Sequence, residues 1–214
     1  YGILRNAYRY KVHKIKVPIK NLPAGLAGLR IVQISDIHSG SFTQTEPVRA
    51  GIDLINQQNP DLVFFTGDLA NSVSTEIEPF LDVFDKIQSK YGVFSITGNH
   101  DYGDYARWES REAKAENFEH FKKMHGQLGW DLLLNENRAL DINGEKLAII
   151  GVENFSGKPN FSKYGNLTKA AAGTESIATK ILLSHDPSHW DSEVRPNFSD
   201  IQLTLSGHTH GFQF

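Results

Sequence analysis

Five short apolar runs recur along the chain, and a polar loop follows each of them. The runs are rich in β-branched and aromatic side chains, which pack well in the interior of a sheet. They therefore predict buried β-strands. We place these strands at residues 30–35, 61–66, 92–97, 180–184 and 201–206.

Helical patterns separate the first three runs. One helix is predicted over residues 45–57, where Asn59-Pro60 ends the pattern, and another over residues 75–90. One face of the second helix would be apolar, formed by Ile77, Phe80, Leu81, Phe84 and Ile87. A third helix is predicted over residues 108–125. Strands that alternate with helices indicate βαβ units and a parallel sheet, and hence an α/β fold.

The pattern changes after the third predicted helix. Residues 132–134, 139–142 and 146–152 are predicted to form antiparallel strands, with Asn143-Gly144 as a hairpin turn that favours positive φ. The next stretch, residues 153–173, is long and irregular, and such loops are often functional. It either binds the organic part of a substrate or is an ordinary solvated loop. The side chains in question are Phe155, Lys158, Phe161, Lys163, Tyr164 and Lys169.

The first thirty residues are basic and contain no Asp or Glu. Ile15, Val17 and Ile19 alternate with lysines, and Pro18 interrupts the alternation, which predicts an edge strand with one solvated face. Two explanations for the charge stay open: it protects an edge strand from aggregation, or it brings the segment to a membrane surface. The basic residues are Arg5, Arg9, Lys11, Lys14, Lys16, Lys20 and Arg30.

Composition limits the classes of protein that the chain can represent. With 214 residues, 39% of them hydrophobic, it can bury one substantial core and form one domain. Lys and Arg number 22 against 25 Asp and Glu, too balanced for coating nucleic acid, so we expect no nucleic-acid partner. The chain has no cysteine, so a transition metal must be bound by His, Asp, Glu or Asn.

Side chains with metal-binding chemistry stand directly after the five predicted strands. The carboxyl ends of parallel strands meet at one edge of a sheet, so we expect these side chains to converge in one crevice. In chain order they are Asp36 and His38, then Asp68, then Asn99, His100 and Asp101, then His185, and finally His208 and His210.

Carboxylate, imidazole and amide groups without sulfur suit divalent Mn, Fe, Co, Ni or Zn better than Ca, which takes more oxygen ligands. More candidate ligands are present than one ion needs. The set fits two ions about 3.5 to 4 Å apart that share a carboxylate. Two dications against two carboxylates leave net positive charge, which attracts phosphate and acidifies a bridging water.

The ordered motifs DxH, GD, GNHD, H and GHxH make the chain resemble the calcineurin-like metallophosphoesterase superfamily. Residues 30–38, together with the basic segment before them, are similar to its bacterial YkuE/YaeI-like branch. The resemblance implies a four-layer αββα sandwich. It also implies roles for the polar residues, with His100 as the general acid at the leaving oxygen and Asp101 orienting it. One ion would be held by Asp36, His38 and His210, the other by Asn99, His185 and His208, with Asp68 bridging the two.

The implied reaction is hydrolysis of a phosphate ester by a hydroxide that bridges two Mn, Fe or Zn ions. The substrate would be a phosphodiester, a phosphomonoester or a lipid-linked pyrophosphate, and the basic N-terminal segment favours an anionic lipid or a nucleotide sugar. The alternative is a non-catalytic scaffold of the same fold that binds partner proteins. Such scaffolds tend to lose the histidine that stands here as His100. A protein phosphatase is a third hypothesis, which the short insert after His100 disfavours.

The resemblance also sets expectations for the two ends of the chain. Residues 29–214 would form the phosphoesterase domain. Family members carry at least one more strand after GHxH, so we expect the C-terminal part to be cut short. Residues 1–28 would follow a membrane anchor, because relatives often have one and the basic residues suit its cytoplasmic flank. We therefore expect a location at the cytoplasmic face of a bacterial inner membrane, with export as the alternative.

Overall fold

Two four-stranded β-sheets form the centre of the computed structural model, which describes residues 8–157 and 163–210. The first sheet contains β1 (Ile31–Ile34), β2 (Leu62–Phe65), β3 (Val93–Ser95) and β4 (Asp131–Leu132). All its strands are parallel and lie in the order β1-β2-β3-β4. The three strands predicted at the start of the chain are therefore confirmed.

The second sheet combines one hairpin with two parallel strands. It contains β5 (Glu136–Ile142), β6 (Glu145–Gly151), β7 (Thr179–Leu183) and β8 (Leu203–Leu205), in that order. β5 and β6 are antiparallel, and the turn between them is the predicted Asn143-Gly144, with φ angles of 53° and 83°. β7 and β8 join in parallel, so that their carboxyl ends point the same way as that of β6.

The helices of the described chain are mostly short. The α-helices are α1 (Thr45–Gln57), α2 (Leu81–Phe84), α3 (Arg111–Leu128), α4 (Leu167–Ala171) and α5 (Arg195–Asn197). Single turns of 3₁₀ helix occupy Ala24–Leu26 and Ser39–Ser41, a longer 3₁₀ segment occupies Ser74–Phe80, and a π-helical turn occupies Trp190–Val194. None of the helices described is both long and apolar enough to cross a membrane.

The alternation of side chains along β2 shows how the layers are stacked. Leu62 and Phe64 point toward the second sheet and share a core with residues of β6 and β7. Val63 and Phe65 point to the opposite face, where they pack with α1, α2 and α3. On the outer face of the second sheet, Ile150 packs with α4 and with the segment after β7. The order of layers is helix, sheet, sheet, helix, as expected for the αββα sandwich.

The prediction of an antiparallel strand at residues 132–134 is wrong. The strand is β4, and it pairs in parallel with β3, with Phe94 opposite Asp131. The reason is the connection: α3 lies between β3 and β4, and a helical crossover returns the chain in the same direction. Helix α3 ends at Gly129, whose φ of 69° allows the left-handed C-cap from which the chain enters β4.

Two predicted helices have different bounds in the structure. The continuous helix over residues 75–90 is wrong, because a 3₁₀ segment and the four-residue α2 replace it. Pro79 lies inside the 3₁₀ segment and lacks the N–H that a continuous α-helix needs. The helix over 108–125 is displaced to α3, because Ser110 is its N-cap and its hydroxyl accepts the N–H of Ala113. The helix over 45–57 is confirmed as α1.

The predicted edge strand in the N-terminal segment is not formed. Residues 9–19 adopt no regular structure, and Ile15 and Val17 are 83% and 51% exposed. Pro18 lacks the N–H for a strand ladder, and the segment is attached to the domain by its tyrosines instead: Tyr10 lies against Gly51 of α1. Arg5, Lys158 and Phe161, which entered the predictions, lie outside the described residues, as do residues 211–214.

Candidate metal centre

The predicted site residues lie where the strands of both sheets end. Asp36 and His38 follow β1, Asp68 follows β2, Asn99, His100 and Asp101 follow β3, His185 follows β7, and His208 and His210 follow β8. Backbone hydrogen bonds hold the loops together: the N–H of Asp36 donates to Gly67 at 2.9 Å and that of His38 donates to Asp68 at 3.0 Å. The five loops therefore form one rim, as the strand directions predicted.

Left-handed backbone conformations are concentrated at this rim. Outside the glycines, the described residues with positive φ are either asparagines or candidate ligands. For residues other than Gly, Asn and Asp, this conformation costs about 1–2 kcal/mol. Strain of this kind clusters at functional sites, where the surrounding structure compensates for it. The candidate ligands with positive φ are Asp36, His38, Asp68, His208 and His210.

Two glycines allow the second and third loops to come into contact. A Cβ on Gly67 would lie 2.5 Å from the backbone nitrogen of Gly98, and Gly67 has a φ of 97°. A Cβ on Gly98 would lie 2.2 Å from Oδ1 of Asp68. The glycines of the GD and GNHD motifs are thus required by close backbone approach to the buried carboxylate.

Four candidate ligands form a first group at the rim. The ligand atoms of Asp36, His38, Asp68 and His210 all lie within 4.8 Å of one another. Nε2 of His38 and Nε2 of His210 are 3.2 Å apart, and Nε2 of His210 is 3.3 Å from Oδ1 of Asp36. Two imidazole nitrogens and two carboxylates that converge on one point are a suitable donor set for a divalent cation.

A second group lies beside the first and shares Asp68 with it. Ligand atoms of Asp68, His185 and His208 lie within 4.8 Å of one another. Nε2 of His185 is 3.1 Å from Oδ2 of Asp68 and 3.2 Å from Oδ1 of Asn99. Nδ1 of His185 donates to the carbonyl of Thr66 at 2.7 Å, which fixes the ring with Nε2 toward the group.

The electrostatics of the second group favour positive charge at its centre. Burial opposes ionisation of Asp68, but hydrogen bonding and charge from His185 outweigh it and lower the pKa of Asp68. Burial likewise opposes protonation of His185, but the carboxylate of Asp68 outweighs it and raises the pKa of His185 to about 9. The carboxylate, imidazole and amide oxygen that converge here are a suitable donor set for a divalent cation.

His38 and His208 also suit metal binding. Burial lowers the pKa of His38 and of His208, although nearby carboxylates act in the opposite direction. Neutral imidazoles have the free lone pair that a metal ion requires.

His100 belongs to neither group, although it is adjacent to both. Its backbone N–H donates to Oδ1 of Asp68 at 2.9 Å, and its Nδ1 donates to the carbonyl of Asn71 at 2.6 Å. Its ring meets the ring of His38 edge to face at 4.8 Å and is stacked on Tyr105 at 4.3 Å. The ring is therefore fixed beside the first group, with Nδ1 already bonded and Nε2 as its remaining nitrogen.

Within the part of the chain that the structure describes, Asp101 and His100 do not form the expected hydrogen bond. The carboxylate of Asp101 accepts four backbone N–H groups instead, from Asp68, Leu69, Ala70 and Gly98, at 2.8–3.1 Å. Burial, with the negative charge of Asp68, raises the pKa of Asp101 to about 7. Asp101 thus joins the second loop to the third. The residue that accepts the hydrogen bond from Nδ1 of His100 is Asn71, not Asp101.

Three residues outside the set of candidate ligands and catalytic residues border the site. Asn71 carries no motif that could have indicated its bond to His100. Tyr105 follows the GNHD motif, where the sequence offers aromatic side chains as candidates for the wall of the site, and its ring is stacked on that of His100. Asp186 accepts the N–H of Ser188 at 2.8 Å, and its Oδ2 also lies 3.9 Å from Nε2 of His208.

Comparisons with known proteins agree with this geometry. The family described as "Calcineurin-like phosphoesterase" matches residues 29–212. The chain is 28% identical over 220 residues to the zebrafish (Danio rerio) "Transmembrane protein with metallophosphoesterase domain", covering 100% of this chain and 47% of that protein. It is 28% identical over 219 residues to the "Uncharacterized metallophosphoesterase YkuE" of Bacillus subtilis, covering 100% of this chain and 70% of that protein. The chain thus spans about half of the zebrafish relative.

A solved structure is also similar to part of the chain. It is the phosphopantetheinyl hydrolase of Mycobacterium tuberculosis, with 18% sequence identity and a TM-score of 0.48. The similarity covers 82% of this chain and 76% of that one.

Proposed function

The chain belongs to the calcineurin-like phosphoesterase family of metal-dependent hydrolases, and from this premise we propose that it hydrolyses a phosphate ester at a centre of two divalent ions. The position of Asp68 carries the proposal. Its Oδ2 lies 3.7 Å from Nε2 of His38 in the first group and 3.1 Å from Nε2 of His185 in the second. A buried carboxylate shared by two ligand groups is characteristic of a two-ion centre.

The assignment of ligands follows the two groups. Asp68 would bridge, and Mn, Fe or Zn would suit the nitrogen and oxygen donors. Divalent ions, when bound, supply charge that stabilises the phosphoryl oxygens and acidify the water that attacks phosphorus. The residues proposed to hold the first ion are Asp36, His38 and His210, and those proposed for the second are Asn99, His185 and His208.

His100 is proposed as the general acid that protonates the leaving oxygen. Its Nδ1 is bonded to the carbonyl of Asn71, so Nε2 is the ring nitrogen that can deliver a proton. The stacked ring of Tyr105 and the edge contact with His38 hold the imidazole beside the proposed first ion. A general acid in a fixed position contributes about 10² to 10⁴ in rate.

A phosphoesterase assay with two chromogenic substrates tests the proposal. Wild-type protein is expected to hydrolyse bis-p-nitrophenyl phosphate or p-nitrophenyl phosphate only with a divalent ion such as Mn²⁺ present. The relative rates separate diesterase from monoesterase activity. A pyrophosphate-linked lipid and a nucleotide sugar extend the panel to the substrates that the basic segment favours.

The variant His100→Ala distinguishes the enzyme from a non-catalytic scaffold. It is expected to retain its metal ions, measured by atomic emission, and to lose about 10²-fold or more in turnover. His120→Ala is the matched control, because His120 is a half-buried histidine of α3 that contacts Ser74 and Glu78 and belongs to neither ligand group, and it should match wild type. Equal turnover of wild type and His100→Ala would favour the scaffold, and loss of metal from His100→Ala would contradict the assigned roles.

We further propose that the N-terminal segment contacts an anionic membrane surface. Val12, Ile15 and Val17 are exposed, and exposed lysines lie between them. Each lysine contributes about 1 kcal/mol near such a surface. Wild-type protein should sediment with phosphatidylglycerol vesicles and not with phosphatidylcholine vesicles. The paired charge reversal Lys14→Glu and Lys16→Glu should weaken binding, and unchanged sedimentation of that variant would refute the contact.

A further inference from the structure

One exposed aromatic side chain contacts two neighbouring residues of the candidate centre. The hydroxyl of Tyr105 accepts a hydrogen bond from Nδ2 of Asn99 at 2.9 Å. The ring of Tyr105 is stacked on the ring of His100, with centroids 4.3 Å apart and an angle of 26° between the planes. A proposed metal ligand and the proposed general acid are thus held by the same side chain.

The turn that carries Tyr105 is rigidly built. Gly103 has a φ of 72°, and a Cβ at this position would lie 2.8 Å from the ring of Trp108. The indole N–H of Trp108 donates to the carbonyl of Gly103 at 2.7 Å. On the buried side, the hydroxyl of Tyr102 bonds to Oγ1 of Thr97 at 2.6 Å. With both sides of the turn fixed, the position of Tyr105 is determined by the backbone.

The hydrogen bond to the hydroxyl of Tyr105 holds the Asn99 amide with its oxygen toward the second group. Because Nδ2 donates to that hydroxyl, Oδ1 is left on the side of His185, 3.2 Å from its Nε2. A flipped amide would present its NH₂ group to a cation, and NH₂ has no lone pair to offer. Partners of this kind that orient metal ligands typically affect metal affinity or activity by about 10- to 100-fold.

The ring of Tyr105 restrains His100 in a different way. The bond from Nδ1 to Asn71 leaves the imidazole free to rock about that bond, and the stacked face of Tyr105 limits this movement. Precise placement of a proton donor matters, since small displacements reduce the rate of transfer. The hydroxyl and the ring of one residue therefore have separable effects.

Exposure argues against a purely structural role. Tyr105 is 53% exposed, so its removal opens no cavity in either core and should cost little folding free energy. From these contacts we propose that Tyr105 is a positioning residue, whose hydroxyl orients Asn99 toward the second ion and whose ring restrains His100. The proposal rests on the metal-dependent phosphoesterase function proposed above.

Two variants separate the two effects. Tyr105→Phe removes the hydroxyl and keeps the ring. Calorimetric titration of the chelator-treated full chain with Mn²⁺ should therefore show an affinity for the second ion that is about 10-fold weaker than in wild type. The affinity for the first ion should be unchanged. At saturating Mn²⁺ its kcat should stay within about threefold of wild type. Tyr105→Ala should show the same weak second ion and also lose kcat by about 10-fold. That loss should be larger for phenyl phosphate than for p-nitrophenyl phosphate, because the more basic leaving group depends more on the acid.

Matched controls exclude a general disturbance. Tyr91→Phe removes a hydroxyl at the opposite, amino end of β3 and should leave the affinity for both ions unchanged. The melting temperatures of the Tyr105 variants should stay within about 2 °C of wild type, since little apolar area is lost.

Metal titration keeps this inference distinct from the proposed function. If Tyr105→Phe binds both ions as tightly as wild type, the proposed role of the hydroxyl is wrong. If Tyr105→Ala and wild type have equal kcat on phenyl phosphate, the proposed role of the ring is wrong. If wild type binds two ions but hydrolyses none of the substrates, the proposed function fails. A weakened second ion in Tyr105→Phe would then still support the orienting role of the hydroxyl.

Discussion

Asp101 shows how a motif residue can serve the site without touching the chemistry. All four of its hydrogen bonds come from backbone N–H groups, three in the loop after β2 and one in the loop after β3. These loops carry Asp68 and Asn99, so Asp101 fixes the distance between the bridging carboxylate and a ligand of the second group. Asp101 therefore stabilises the folded rim.

Asp101→Asn should therefore lower the free energy of unfolding. An asparagine offers one oxygen where the aspartate offers two, so two of the four buried N–H groups would lose their acceptor at about 1–3 kcal/mol each. Urea unfolding in the presence of a chelator measures the effect without contribution from bound metal. Asp104→Asn, which weakens a partly exposed ion pair with Lys114, is the control and should cost less than about 1 kcal/mol. An Asp101→Asn protein as stable as wild type would argue for a direct role beside His100.

Helix α3 contains a histidine that is buried for reasons unrelated to the metal centre. His125 packs against Phe121 and Trp130, and its Nδ1 donates to the carbonyl of Phe121 at 3.1 Å. Burial lowers the pKa of His125 to about 4, with the bond to Phe121 acting weakly in the opposite direction. The imidazole is therefore neutral in the folded protein at neutral pH.

The stability of the protein should fall as His125 is forced to accept a proton. Between the ordinary pKa of about 6.5 and the folded value, the unfolded chain binds more protons than the folded one, so stability decreases as pH falls. From pH 7 to pH 5 this group alone should remove about 2 kcal/mol from the free energy of unfolding. Urea unfolding of chelator-treated protein at pH 7 and at pH 5 measures this loss of free energy of unfolding.

The variant His125→Leu assigns the pH effect to this residue. Its stability should fall by about 2 kcal/mol less than that of wild type between pH 7 and pH 5. The control His120→Leu changes a half-buried histidine of the same helix and should retain the wild-type dependence. The same pH dependence in His125→Leu and wild type would show that His125 is not the group responsible.

The candidate metal centre joins the two sheets of the molecule. Loops of the first sheet contribute four candidate ligands, and loops of the second contribute three: Asp36, His38, Asp68 and Asn99 from the first, His185, His208 and His210 from the second. A hydrogen bond also joins the two sheets: Nε2 of Gln33 donates to the carbonyl of Ser206 at 2.8 Å. Bound ions would therefore stabilise the contact between sheets as well as the reaction.

Chelation should lower the melting temperature of the protein. Ligand at 100 times its dissociation constant adds about 2.7 kcal/mol to stability. For a chain of this size, that amount corresponds to about 5–10 °C. Scanning fluorimetry with EDTA and with increasing Mn²⁺ measures the shift. Asp68→Ala removes the shared carboxylate and should lose the response to Mn²⁺; an equal melting temperature with EDTA and with saturating Mn²⁺ in wild type would contradict binding at the rim.

The sequence determined the features that depend on local pattern. Apolar runs identified β1, β2, β3, β7 and β8, because a buried strand needs a continuous apolar stretch wherever it lies. Asn143-Gly144 identified a turn, because few other pairs adopt two positive φ angles. The polar motifs at the strand ends identified which loops form the rim, because parallel strands share the direction of their carboxyl ends.

Only the tertiary structure decided how these parts meet. The direction of β4 depends on the crossover through α3. Three sets of contacts join residues of different loops or residues across a tight turn. They are the hydrogen bonds of Asp101, the bond from His100 to the carbonyl of Asn71, and the contacts of Tyr105. Sequence reasoning missed such contacts because spacing along the chain specifies which strand a residue follows, whereas a hydrogen bond depends on the distance and direction that packing imposes between loops.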